Sequence, residues 1–192
     1  MMMTISFHFR DLFLSDFVLL TSFFSLFIGT LLIKKDKQIN SANLLIVGSV
    51  LAVLWQITNF FIPGIFLHSP TDEDLEFLGA YGLIFNDLLP GTIFIVGIGI
   101  LPLLVCYKNK ASDSIQFLAI GAIIFIISIV IGIDLSNWVL STISVLIILV
   151  SMIFFSLYGI KLKNWGLILF SILYFISKIV FLMDLQPLIS LI

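Results

Sequence analysis

Three charged side chains stand inside otherwise apolar runs: Asp16, Asp87 and Lys178. An ionisable group near the middle of a membrane helix costs about 2.5–3.5 kcal/mol on insertion scales, so such groups pair with one another and mark candidate functional sites. Each lies within four or five residues of one end of its run, about 6–10 Å deep at 1.5 Å per residue. If the runs alternate in direction, these ends fall on one side of the membrane and the three charges share a layer. Lys178 with Asp87 is the pair the spacing favours, with Asp16 as the alternative acid.

Neutral polar residues fall in the same half. Gln56 and Asn59 are three apart and share a helix face, Asn86 precedes Asp87, and Ser171, Tyr174 and Lys178 form a stripe at spacings of three and four. Pro90 removes a backbone donor and predicts a kink in its helix. Asp87, Lys178, Asp16, Asn86, Gln56, Asn59 and Tyr174 are thus candidates to line an outward-facing polar pocket for a solute or ion. The opposing reading has Asp16 and Lys178 extending toward lipid headgroups, with Asp87 and Lys178 as structural glue, since a buried ion pair is weak evidence even for stability.

Catalysis has little to work with. No H-E-x-x-H, G-x-S-x-G, P-loop or G-x-G-x-x-G pattern occurs. A serine–lysine dyad needs hydrogen-bond reach, but Ser177 points about 100° away from Lys178 on a helix and Ser171 is seven residues distant. Asp16 and Asp87 could meet as paired carboxylates, but Lys178 competes for both. His8 and His68 lie outside the apolar runs, which argues against haem held by two histidines inside the bundle. Cys106 is the only cysteine, so no internal disulfide or cysteine zinc site can form. The acidic cluster Asp72, Glu73, Asp74 and Glu76 matches no calcium loop. No metal and no cofactor is expected, and an intramembrane enzyme is the least favoured reading. With a net charge of −2 and Arg10 as the only arginine, no nucleic-acid partner is expected either.

The elements that must position these residues follow from composition. The chain has 192 residues, 61% hydrophobic and 10% charged, against about 45–50% apolar and 25% charged for a soluble domain. Apolar runs cover 12–33, 44–67, 83–106, 115–133, 138–160 and 165–183. Each has the roughly 17–25 residues that cross a bilayer as a helix, and none alternates as a barrel strand would. The expected fold is all-α: a single integral membrane domain over 1–192, a bundle of six transmembrane helices.

Orientation follows from the connectors. Lys34, Lys35, Lys37, Lys108, Lys110, Lys161 and Lys163 fall on one side of a six-span path and are seven of the nine basic residues. Short lysine-bearing loops stay cytoplasmic, so both termini and Asp72–Glu76 are expected outside, in the cell membrane. Ser69-Pro70-Thr71-Asp72 reads as the start of a short interfacial helix ending near Gly79. Halves 1–3 and 4–6 would have opposite topology, as in inverted repeats, but the matches between them are faint. Ser25-x-x-x-Gly29, Ser128-x-x-x-Gly132, Gly97 and Gly99 permit close helix approach, inside the bundle or against a partner.

The leading functional expectation is a non-catalytic accessory or assembly subunit, with the lipid bilayer and other membrane subunits as partners. The alternative is a small transporter or binding component using the polar pocket for a small molecule that the sequence does not identify.

Overall fold

A computed structural model describes residues 2–36, 39, 41–66, 89–109, 113–132 and 138–189. Among them there are six helices and no strand. They are α1 (Met2–Lys35), α2 (Ala42–Phe66), α3 (Leu89–Phe94, Ile95–Ile100 and Leu101–Lys108 end to end), α4 (Asp113–Gly132), α5 (Trp138–Lys161) and α6 (Trp165–Ile189). Four stretches are long and apolar enough to cross a membrane: Asp16–Lys35, Gly91–Lys108, Ser114–Gly132 and Thr142–Lys161. Helices α2 and α6 contribute the shorter apolar stretches Ala42–Thr58 and Trp165–Val180. Some helices overrun the apolar runs: α1 begins at Met2 rather than 12, and α6 continues past 183 to Ile189. Hydropathy marks where the chain leaves the apolar phase, whereas the backbone hydrogen-bond ladder can continue beyond that boundary.

Helix α1 packs on α2 and α6, α4 on α5, α5 on α6, and α3 against α2 and α4. The core is aromatic. Phe23 of α1 is fully buried, with ring centroids of Phe94, Tyr174 and Phe170 at 5.4, 5.9 and 6.4 Å. Phe155 meets Phe170 edge-on at 5.8 Å. Edge and tilted contacts set the electropositive rim of one ring against the face of another.

Glycines bring two pairs of helices into backbone contact. A Cβ on Gly166 of α6 would stand 2.5 Å from the Gly29 nitrogen and 2.9 Å from the Ser25 carbonyl oxygen of α1. A Cβ on Gly48 of α2 would collide with the Gly97 carbonyl of α3. The Ser25–Gly29 motif therefore faces α6 inside the bundle. The Ser128–Gly132 motif likewise faces α5, where the Ser144 hydroxyl donates to the Ser128 carbonyl at 2.7 Å.

Other hydroxyls tie helices together. Ser22 donates to the Phe170 carbonyl at 3.0 Å, Ser151 donates to the Gly121 carbonyl at 2.8 Å, and the Thr30 and Ser49 hydroxyls are 3.1 Å apart. In an apolar surrounding a polar side chain without a partner is costly, so such bonds select helix register.

Helix α3 is not uniformly α. Over Ile95–Ile100 it widens to a π-helix, and the Leu101 N–H bonds the Val96 carbonyl. Pro102, in the first turn of the following α segment, has no N–H to offer, and the Gly97 carbonyl lies against Gly48 of α2. The kink predicted at Pro90 concerns the carbonyl four residues earlier, outside the described residues. Within α3 the departure from α geometry precedes Pro102, because a proline disturbs the turn before it.

The α5–α6 turn is tightly closed. The Asn164 N–H bonds the Gly159 carbonyl at 2.9 Å and the Lys163 N–H bonds the Ile160 carbonyl at 3.0 Å, the paired bonds of a Schellman ending. Lys163 is left-handed, with φ 52°. The buried Asn164 side chain then accepts the Leu167 N–H at 3.2 Å, capping α6, and donates to the Gly29 carbonyl of α1 at 2.8 Å.

Candidate functional site

The register between α1 and α6 sets the site. The two helices meet at Gly29 and Gly166. Asp16 is thirteen residues from that crossing along α1, and Lys178 is twelve along the antiparallel α6. At 1.5 Å per residue both lie about 18–20 Å from the crossing, so they share a level. Their charges are close enough to interact through space.

Gln56 brings in α2. It is 2% exposed, and its Nε2 donates to Asp16 Oδ1 at 3.3 Å and approaches the Asp16 main-chain oxygen at 3.5 Å. A neutral amide thus holds the carboxylate in place while adding no charge to the interior. On α6 the Lys178 ammonium stands 5.5 Å from the centroid of the Tyr174 ring, within the range of a cation–π attraction. Tyr174 is buried and meets Phe23 at 5.9 Å, Phe170 at 5.8 Å and Phe125 at 6.2 Å. The layer therefore rests on an aromatic floor, with Asp16 and Lys178 themselves half-buried.

The structure thus brings Asp16, Gln56, Tyr174 and Lys178 together from three helices. Asn86 and Asp87 lie outside the described residues, as do the side chain of Asn59, His68 and the Asp72–Glu76 cluster with its expected interfacial helix. Of the two acids considered for Lys178, Asp16 is the one the described residues contain. The Ser171 hydroxyl turns back to the Ile168 carbonyl at 2.8 Å and stays within its own helix. Among the described residues no three His, Cys, Asp or Glu side chains gather to hold a metal ion.

Asn164 escaped the sequence reading. It closes α5, caps α6 and grips α1, yet in sequence it is one polar residue in a four-residue loop. The preceding Lys-Leu-Lys drew attention to charge rather than to capping. Two buried polar atoms, Trp55 Nε1 and Tyr158 Oη, have no partner among the described residues.

Two spaces lie among the described residues. A small cavity of about 20 Å³ lies where all six helices meet, with Thr30, Ser49, Gly97 and Tyr158 in a mostly aliphatic wall. A larger groove of about 190 Å³ runs between α5 and α6 on the outer surface of the bundle. Its walls are Met152, Ile153, Ile172, Phe175 and Ile176, with Ser156 and Ser171 between them.

No family model, curated protein or solved structure matches the chain.

Proposed function

We propose that the protein is a six-span integral protein of the cell membrane, with both termini outside, and that it works without catalysis as an accessory or assembly subunit. The observation that carries the subunit role is the α5–α6 groove: an apolar furrow on the outer face of a closely packed bundle, with two small serines that let another helix approach. The polar layer suits the same role. Its carboxylate is engaged by Gln56 and its ammonium lies over Tyr174, an arrangement that joins α1, α2 and α6 to one another.

The test fills the groove. Ser156→Trp places an indole in it without touching the polar layer. The wild-type protein, purified from its own membranes in mild detergent, should carry a stoichiometric membrane partner. The variant should lose that partner while keeping its melting temperature. A wild-type protein that runs alone, with the variant fully functional in cells, would defeat the proposal. The second reading, a solute- or ion-binding component, is favoured by the Asp16–Gln56–Lys178 cluster. It gains if Gln56→Leu abolishes biological activity while partner recovery is unchanged.

Topology is tested separately. In a Cys106→Ser background, Ser69→Cys should react with an impermeant thiol reagent from outside and Ser112→Cys only from inside. The reverse pattern would invert the orientation and leave the lysine asymmetry unexplained.

A further inference from the structure

We propose that the α5–α6 turn, through Lys161, Lys163 and Trp165, is a binding site for the headgroup of an anionic lipid. The first observation is conformational. Lys163 occupies the left-handed position that closes α5, with φ 52°, where glycine is the usual residue because a Cβ is strained there. A lysine nonetheless occupies that position, and backbone strain of this kind clusters where a residue's side chain has a use.

The second observation is placement. Lys161 and Lys163 are both exposed, and Trp165, which opens α6, is 79% exposed. A tryptophan that packs on little of its own protein, at the end of an apolar helix, is suited to the headgroup level of a bilayer. Lys161 and Lys163 precede it by four and two residues, in a turn held by the Asn164 and Lys163 N–H bonds, and Asn164 itself is clamped to Gly29. The two exposed lysines thus stand on a hydrogen-bonded turn.

The third observation is charge. The connectors at this end, 34–37, 108–113 and 161–163, carry seven lysines against Asp36 and Asp113. Each basic group near an anionic membrane surface attracts it by about 1 kcal/mol. The whole end is attracted in this way, but only the α5–α6 turn combines two lysines, an exposed tryptophan and a fixed backbone. A zwitterionic headgroup carries the same phosphate with its own cation and so offers no net charge to this turn.

The test reads the melting temperature of the purified full chain in nanodiscs of phosphatidylcholine alone or of an equimolar mixture with phosphatidylglycerol. Wild type should melt higher in the mixture, and added salt should shrink the difference. The Lys161→Gln/Lys163→Gln double variant should lose most of that increment, whereas Lys108→Gln, which removes a charge from the same end, should lose only the small share of one lysine in the general attraction. Lys163→Gly separates charge from strain. In phosphatidylcholine it should melt above wild type by about 1–3 °C, because the turn is relieved, yet it should gain less from phosphatidylglycerol. The proposal is overturned if wild type shows no increment, if the double variant keeps it, if Lys108→Gln loses as much as the double variant, or if inorganic phosphate added to phosphatidylcholine nanodiscs reproduces it.

Discussion

Lys178→Met should lower the melting temperature in detergent by the equivalent of about 2–3 kcal/mol, and Asp16→Asn introduced with it should return part of that loss. Removing one member of a fully buried ion pair costs about 3–5 kcal/mol, because the other charge is left in a poor solvent. Asp16 and Lys178 are only half-buried, so water relieves some of the penalty and the lower figure applies. Gln56 stays bonded to either the acid or the amide at position 16, so the double variant keeps that contact. The measurement is a double-mutant cycle on thermal stability. Losses that simply add would show that the two charges are independent. If Asp87→Asn gives the recovery and Asp16→Asn does not, the acid paired with Lys178 is the one that sequence spacing favours.

Gly48→Ala should cost about 1–3 kcal/mol, toward the upper end of what overpacking produces. The added methyl would meet the Gly97 carbonyl oxygen, its carbonyl carbon at 2.9 Å and its Cα at 3.1 Å. These are backbone atoms of a π segment and cannot rotate away as a side chain would. Gly91→Ala on the same α3 is the control. Its Cβ would meet nothing closer than Ile129 Cγ2 at 3.6 Å, and alanine is about 0.5–1 kcal/mol better than glycine within a helix. That variant should hold or gain stability. Equal losses at the two positions would remove the Gly48–Gly97 contact as the cause.

Much of the helical layout was legible because a membrane helix must satisfy its backbone internally, so uninterrupted hydropathy reports it directly. The polar layer was partly legible for the same reason: Asp16, Gln56, Tyr174 and Lys178 stand out against leucine and isoleucine. Which groups face one another was not. That depends on the register of α1 against α6, set by Gly29 and Gly166, and a glycine in an apolar run does not announce its opposite number. The π segment was hidden for a related reason. Gly97 and Gly99 signal close approach, but a widened turn arises from the fit to α2 and from Pro102 together, and neither residue alone encodes it.

The Asn164 clamp also has a bearing on how the chain is made. Its amide bonds a carbonyl 135 residues earlier. At roughly 5–20 residues per second of synthesis, the Gly29 notch of α1 leaves the ribosome some 7–27 s, by the same rate, before the turn that will close on it. For that interval the Gly29 face of α1 has no α6 to close on. Helix α6 is then less an addition to a finished bundle than the piece that closes the Gly29 face, and the packing of the first helix is completed only when the sixth arrives.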